Sequence, residues 1–366
     1  MAVKWVAQQW ERAAGAEAGG FGADSVEMAS LLRLVGACGR RLKAAQAAAI
    51  CEALVRALRT FTLPVGAVGP HVQAVAQLCR AKADEADGAA PVRVFTAAVL
   101  ARAEQQLEQL AVDDRKRAAQ WGEAATGEAA TCLFTAGELA VLQAAGGQGV
   151  PRRLVQLVQS FVVRDPGAPG VPDLLQAHAW TALGKCCLAD EALARECVPL
   201  FFQELADEAR APAVRNNLVV ALTDLCVRFT SLVDVHVGKL ARCLGDPCEL
   251  VRRQTLVLLA GLLGKEYVKW RGALFNRFVL ALVDPSPAVR QLAEYLLQDP
   301  LSAKMPTLAY NHFLETLFAL NDCAVSRPAR VAVAAASRGR TLGSFAGADR
   351  CSARGSEAGP RWRRSS

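Results

Sequence analysis

Residues 211–297 repeat one helical phrase three times: APAVRNNLVVALTDLC from Ala211, DPCELVRRQTLVLLAGLL from Asp246 and DPSPAVRQLAEYLL from Asp284. Each copy begins with a turn that contains Pro or Asp, continues with a Val-Arg pair and runs into apolar residues at helical spacing. Successive Val-Arg pairs lie 37 and 38 positions apart, and a weaker copy, PDLLQAHAWTALGKCCL, precedes them. This period is typical of stacked helix pairs, so the sequence predicts an all-α HEAT-repeat solenoid.

The spacing within one copy predicts which side chains are buried. Val251, Thr255, Leu258 and Leu262 recur on one stripe of a helix, the pattern of a face that packs against neighbours. Another amphipathic segment precedes each copy, and the short gaps favour two helices per repeat over the three of an armadillo repeat. We expect the following apolar side chains to be buried: Val214, Leu218, Leu222, Val251, Leu258, Leu262 and Val289.

Three units are predicted along the chain. Residues 1–129 form an N-terminal helical region of degenerate repeats, in which one helix is expected to begin after Gly69-Pro70 and 113–129 is expected to be exposed or only partly ordered. Residues 130–321 form the HEAT-repeat solenoid. Residues 322–366 are rich in Arg, Ser, Gly and Ala, and such a composition predicts a disordered basic tail. The tail is either a functional basic arm or, as the composition favours, the product of truncation or alternative splicing of a longer solenoid.

The charge of the chain is concentrated in that tail. From Ser326 onward there are nine arginines against Asp349 and Glu357, which accounts for the whole net charge of +7. The helical body is therefore close to neutral, and only a local basic patch can attract an acidic partner to it.

The remaining composition indicates a soluble intracellular protein. The 366 residues are 52% hydrophobic and 21% charged, no N-terminal segment resembles a signal peptide, and no apolar run approaches the ~20 residues that span a bilayer. Twelve cysteines allow either metal sites or buried thiols. Because no CxxC spacing occurs and the four histidines are scattered, we expect buried thiols in a reducing compartment and no metal.

Sequence motifs of catalysis are lacking. The Gly-Lys pairs at Gly184, Gly238 and Gly264 have neither the upstream glycine nor the following Ser/Thr of a P-loop, and no GxSxG or HExxH motif occurs. The sequence therefore predicts a protein that is not an enzyme, with no cofactor, no small-molecule substrate and no membrane contact.

Several segments share a more specific resemblance. CLFTAGELAVL, HAWTALGKCCL, AVRNNLVVALTDLCVRFTSLVD and VRRQTLVLLAGLLGKEYVKWRGALFNRFVLALVD resemble the large D-type HEAT-repeat subunits of condensin, and EYVKWRGALFNRF is most similar to the condensin II version. The resemblance covers roughly 130–320, and because family members are much longer, the chain resembles a fragment or truncated form of one.

The resemblance implies a function and a set of partners. It implies a non-catalytic scaffold subunit of condensin II that acts in mitotic chromosome condensation, in the nucleus and on chromosomes. The implied partners are the condensin II kleisin, the pair of SMC ATPases, the second HEAT subunit, and DNA or nucleosomes, including histone tails. The competing hypothesis is a HEAT or armadillo scaffold that acts as a nuclear-transport or phosphatase adaptor.

Two groups of basic residues are candidates for particular roles. Arg215, Arg252 and Arg290 recur at the repeat period, which predicts a ladder of contacts to Asp or carbonyl groups of neighbouring repeats. A second group surrounds one inter-helix link beside Tyr267 and Trp270 and consists of Arg253, Lys265, Lys269, Arg271 and Arg277. Basic side chains among aromatics suit contact with a phosphate backbone, which favours chromatin over the transport-adaptor hypothesis. The alternative is a solvated basic loop with Trp270 packed inward.

Overall fold

The computed structural model describes residues 26–82, 90–112, 121–162 and 171–321, together with Gln8, and these residues form helices, turns and loops without a β-strand. The α-helices are α1 Val26–Cys38, α2 Ala44–Thr60, α3 Val65–Lys82, α4 Ala90–Val112, α5 Glu123–Ala145, α6 Arg152–Val162, α7 Asp173–Ala189, α8 Glu191–Leu205, α9 Pro212–Arg228, α10 Thr230–Asp234, α11 Val237–Leu240, α12 Glu249–Gly264, α13 Gly272–Ala281, α14 Pro287–Leu296, α15 Ser302–Lys304 and α16 Leu308–Leu320. Short 3-10 turns occupy Gly39–Arg41 and Ala241–Gly245, and a π-helical turn occupies Leu297–Leu301.

The helices alternate between two rows. Row 1 consists of α1, α3, α5, α7, α9, α12 and α14, and each of these helices packs against the next member of the row. Row 2 consists of α2, α4, α6, α8, the α10–α11 segment, α13 and α16, and it packs along row 1. One repeat is a row-2 helix followed by a row-1 helix, so the described chain is an all-α HEAT-repeat solenoid, as predicted.

The repeat phrase determines where the row-1 helices begin. Helices α9, α12 and α14 begin at residues 212, 249 and 287, which reproduces the spacing of 37 and 38 positions. Pro212 and Pro287 each occupy the first turn of a helix, where a missing N–H costs nothing because that group has no partner within the helix. In α8 the Asp190 carboxylate accepts the N–H groups of Ala192 and Leu193 at 2.8 and 3.3 Å, a side-chain cap.

The buried apolar residues form one strip that continues from repeat to repeat. Of the seven side chains predicted to be buried, six are buried, but the prediction for Leu258 is wrong because this residue is only partly covered. The buried arc of α12 runs through Thr255, Leu259 and Leu263, since the helix packs on both row-1 neighbours and on row 2. At about 100° per residue, Leu258 lies just beyond one edge of that arc.

Two predicted helix starts also differ from the structure. Helix α3 begins at Val65 and includes Gly69 and Pro70, which were expected to precede it, because Val68 and Val72 on either side of them are buried. Helix α5 begins at Glu123, so the described part of the stretch expected to be exposed or partly ordered is largely helical. The predicted boundary between residues 129 and 130 falls inside α5, and the predicted tail 322–366 lies outside the described residues.

Candidate nucleic-acid interface

Arginine side chains at the repeat period join neighbouring repeats. Arg215 on α9 donates from Nε and Nη2 to both carboxylate oxygens of Asp246, at 2.7 and 2.8 Å. Its Nη1 also donates to the carbonyls of Glu208, at 3.3 Å, and of Arg210. The hydrogen bond with Asp246 raises the pKa of Arg215, so the guanidinium group stays charged although its side chain is buried.

The next repeat contains the same contact. Arg252 donates from Nε and Nη2 to Asp284 at 2.8 and 2.9 Å, and its Nη1 reaches the carbonyls of Asp246 and Pro247 at 2.9 and 3.1 Å. Arg290 makes the equivalent carbonyl contacts with Asp284 and Pro285 at 2.6 and 3.2 Å. Within the described ranges it has no carboxylate partner. Arg215 and Arg252 therefore connect neighbouring repeats and are not available to a ligand. Arg290, among the described residues, contacts only the loop of its own repeat, so the predicted contact with a neighbouring repeat is not found there for Arg290.

The link between α12 and α13, residues 265–271, has a defined backbone. Glu266 has a positive φ of 63°, and the N–H groups of Glu266 and Tyr267 donate back to the carbonyls of Leu263 and Leu262, at 3.1 and 3.0 Å. This pairing is the Schellman ending of a helix, in which a left-handed residue reverses the chain. Lys265 therefore lies at the C-terminus of α12, where the partial negative charge of the helix favours a cation.

Apolar side chains anchor the link while its cations point outward. Trp270 packs edge-on against Phe275 and Phe278, with ring centroids 5.9 and 5.3 Å apart, and Val268 is buried. Lys265 and Lys269 are exposed, and neither forms an ion pair with any residue that the structure describes. Trp270 is therefore a partly buried anchor of the link, whereas the two lysines are accessible to a partner.

The structure does not bring the five basic residues together. Arg271 lies in the link and pairs with Asp234 at 2.8 Å, with 52% and 30% of the two side chains exposed. Arg253 is exposed in the first turns of α12, about 18 Å along the helix axis from Lys265. Arg277 is half-buried and donates to the carbonyl of Ala241 at 3.4 Å, in row 2. Only Lys265, Lys269 and Arg271 share the link.

Two further basic residues extend this edge of the array. Arg228 is exposed at the C-terminus of α9, 37 positions before Lys265, and Lys304 is exposed at the end of α15, 39 positions after it. Arg228 and Lys265 thus lie at the ends of two successive row-1 helices, α9 and α12, and packed helices are roughly 10 Å apart, whereas Lys304 ends the short helix that follows α14. Glu266 lies among them and offsets part of the charge. The sequence reasoning missed Arg228 and Lys304, although the repeat period would have found them.

Upstream, the lysine of row-1 helix α7 is used inside the fold. Lys185 on α7 binds Glu138 at 2.7 Å and lies 3.3 Å from the ring centroid of Phe134. Burial lowers the pKa of Lys185, and the contact with Glu138 opposes that effect. Lys185 is therefore not part of the exposed basic edge.

The described residues contain no cluster of three or more His, Cys, Asp or Glu side chains that could hold a metal ion. None of the described helices has the length and apolar character that crossing a bilayer requires.

Comparisons with known proteins point to one family. Residues 213–336 match the family model of non-SMC mitotic condensation complex subunit 1, and residues 167–205 match that of condensin-2 complex subunit D3-like HEAT repeats. The chain is 34% identical over 325 residues to condensin-2 complex subunit CAP-D3 of Arabidopsis thaliana, an alignment that covers 80% of this chain and 24% of the relative.

Two vertebrate relatives give the same result. Identity is 31% over 343 residues to condensin-2 complex subunit D3 of Mus musculus, covering 87% of this chain and 22% of the relative. It is 30% over 366 residues to condensin-2 complex subunit D3-L of Xenopus laevis, covering 93% and 24%. The chain thus spans about a quarter of the length of these relatives. It belongs to the family of condensin HEAT-repeat subunits that includes the condensin-2 D3 proteins.

Proposed function

We propose that this chain is a non-catalytic HEAT-repeat segment of a condensin II D3-type subunit, which binds the kleisin and chromatin during mitotic chromosome condensation in the nucleus. Its further partners are the pair of SMC ATPases, the second HEAT subunit, and DNA or nucleosomes, including histone tails. Family membership supports the scaffold role. The observation that carries the DNA contact is the 265–271 link, whose apolar residues are anchored in the core while Lys265 and Lys269 remain exposed.

The interface reads the phosphate backbone and not base sequence. Lysine and arginine side chains on loops make contacts with phosphates that carry no base information. Cations repeat along the edge from Arg228 through Lys265 to Lys304, so a duplex lying along the array meets several of them. Arg271 joins them only if its contact with Asp234 opens, and this pair is exposed enough for that exchange to cost little.

The test is the triple substitution of Lys265, Lys269 and Arg271 by Glu, measured by fluorescence anisotropy with a labelled DNA duplex over a range of salt concentrations. We expect weaker binding to every DNA sequence. The slope of log affinity against log salt concentration should become shallower by about 2–3, because each lost phosphate contact removes about 0.9 from that slope. The matched control replaces the exposed Arg40, Arg41 and Lys43 by Glu. It changes the net charge by the same amount as the link variant, but at the other end of the array.

Both sets of variants are measured in the full chain and in a chain that ends at Asn321, because the nine tail arginines bind DNA non-specifically. If the link variant and the control lose the same affinity, the link is only a solvated loop and the effect is one of net charge. If the chain that ends at Asn321 binds no DNA before substitution, the proposed interface is wrong, and the transport or phosphatase adaptor hypothesis gains weight.

A further inference from the structure

A groove opens in row 2, on the edge of the array opposite the 265–271 link. It has a volume of about 320 Å³ and lies between the C-terminal part of α8 and the segment 239–247. At this point row 2 is interrupted, and residues 230–245 form two short helices and a 3-10 turn in place of one continuous helix. Helices α9 and α12 begin beside the groove, whereas the exposed basic edge lies at their C-terminal ends. The groove is therefore separate from the candidate nucleic-acid interface.

Much of the lining of the groove is apolar. Phe202 and Leu205 of α8 and Cys243 of the 3-10 turn contribute to it, and these three side chains are otherwise buried. Pro199 and Pro247 also line the groove and are exposed. Binding sites commonly combine such an apolar lining with a few polar groups that orient the ligand. The groove can therefore cover an apolar side chain of a ligand.

Two cations that have no ion-pair partner complete the lining. Lys239 of α11 and Arg242 of the 3-10 turn are three positions apart, so they lie on the same side of this helical segment. Both are exposed, and neither forms a salt bridge with any residue that the structure describes. The Lys239 Nζ lies 5.9 Å from the centroid of the Phe202 ring, which holds this cation close to the apolar lining. The groove thus presents unpaired positive charge next to apolar surface.

The ion pair between Arg215 and Asp246 fixes both walls of the groove. The Arg215 guanidinium donates to the Glu208 and Arg210 carbonyls in the loop after α8 and to the Asp246 carboxylate in the loop before α12. The same carboxylate accepts the Cys248 backbone N–H at 2.8 Å. A ligand would therefore meet walls that are already in place, and preorganisation of this kind lowers the entropic cost of association.

The charges around the groove favour a peptide over a nucleic acid. Glu208 lines the groove, and Asp207 and Glu249 are exposed in the two loops that border it. Duplex DNA carries one negative charge per ~1.7 Å of its axis, so it would meet these carboxylates as well as the cations. An acidic peptide presents separate carboxylates, which can pair with Lys239 and Arg242 while the rest of the peptide avoids the acidic loops.

We propose that this groove binds an acidic segment of a partner protein, whose carboxylates pair with Lys239 and Arg242 while a neighbouring apolar side chain packs against Phe202. Glu208 lowers the affinity of the groove for any anion and disfavours a ligand of dense negative charge. The proposal does not rest on the proposed function, because the groove and the 265–271 link lie on opposite edges of the array.

The experiment is photo-cross-linking of the full chain with a short synthetic peptide of alternating Glu and Leu that carries one benzophenone group. Mass spectrometry locates the attachment, so binding at the groove is measured apart from binding to the nine arginines of residues 322–366. We expect attachment within 199–206 or 239–247, with a yield that saturates as the peptide concentration rises. A peptide of alternating Gln and Leu should bind there on the order of tenfold more weakly, because it lacks the charge.

Two variants test the assigned charges. Lys239→Glu combined with Arg242→Glu should weaken attachment of the acidic peptide at the groove on the order of tenfold, because two attractive contacts become repulsive. The matched control, Arg40→Glu combined with Lys43→Glu, makes the same changes at the same spacing between α1 and α2 and should attach the peptide as the wild type does. Glu208→Gln should strengthen attachment about 2–3-fold, a gain that a damaged fold cannot produce.

Several results would overturn the proposal. One is attachment confined to residues 322–366, and another is equal attachment of the Glu and Gln peptides at the groove. A third is a Lys239 and Arg242 variant that, folded by circular dichroism, attaches the acidic peptide as well as its control does. An added DNA duplex should leave attachment at the groove unchanged, and displacement by DNA would assign the groove to nucleic acid instead.

Discussion

The contact between Arg252 and Asp284 allows a sharp test of how the repeats are held together. The change is Arg252→Met, which keeps an unbranched apolar side chain but removes the guanidinium group. Asp284 is almost completely buried, and after the substitution its carboxylate keeps one hydrogen bond, from the Ser286 backbone N–H at 2.9 Å. The carbonyls of Asp246 and Pro247 lose their donor in the same step.

The expected cost follows from that geometry. Removing one partner of a buried ion pair typically destabilises a protein by about 3–5 kcal/mol, because the remaining charge stays buried without compensation. The matched control is Arg56→Met, since Arg56 pairs with Glu52 while 74% and 76% of the two side chains are exposed. Breaking an exposed pair on one helix should cost only about 0.3–0.5 kcal/mol.

The assay combines urea unfolding with hydrogen exchange. Stability in a repeat array is roughly a sum over neighbouring interfaces, so loss of protection should concentrate in α12 and α14. Asp284→Asn in the Arg252→Met background should recover part of the loss, because an amide does not need a counter-ion. If Arg252→Met costs no more than Arg56→Met, or if loss of protection spreads evenly, the ion pair does not hold the repeats together.

Three further predictions concern the core. Leu259→Asp should lower the free energy of unfolding by several kcal/mol in a urea titration, and Leu258→Asp should lower it clearly less. Equal losses would mean that the buried arc of α12 is misplaced. Burial lowers the pKa of His71 below its ordinary 6.5, so below that pH the unfolded chain binds the proton first and stability falls as pH falls. His71→Gln should flatten this decline between pH 7.5 and 5.5, and an unchanged slope would exclude His71 as its source. Gly184→Ala should destabilise the protein by about 1–3 kcal/mol in thermal unfolding, because the added Cβ meets the Ala221 Cβ at 2.9 Å. Helix propensity alone would make the alanine variant more stable, and such a gain would contradict this close packing.

Much of the fold follows from the repeat period in the sequence. Pro212, Pro287 and the Val-Arg pairs indicate where the row-1 helices begin, since these features report local preferences of the backbone. Which residues of a helix are buried is harder to predict from the sequence, as Leu258 shows, because burial depends on which helices pack on each side. Pro70 inside α3 was missed for a related reason: burial of Val68 and Val72 outweighs the local preference of proline.

The candidate site was less predictable than the fold. Proximity along the chain grouped Arg253 with Lys265, although Arg253 lies in the first turns of α12 and Lys265 caps its C-terminus, about 18 Å away along the helix axis. The contact of Arg277 with Ala241, 36 positions earlier, depends on tertiary packing that no local pattern reveals. That Arg215 and Arg252 bind Asp246 and Asp284 respectively likewise required the structure, whereas the class of partner, Asp or carbonyl, followed from their periodicity.

Co-expression with the condensin II kleisin tests most directly whether this chain serves as a condensin II scaffold. The kleisin of condensin I serves as the matched control, and size-exclusion chromatography with mass measurement is the readout. We expect the chain to elute with the condensin II kleisin at a fixed stoichiometry, and the Lys265, Lys269 and Arg271 variant to retain that complex while it loses DNA affinity. A folded chain that never elutes with the condensin II kleisin, or that binds both kleisins equally, would contradict the proposed assignment.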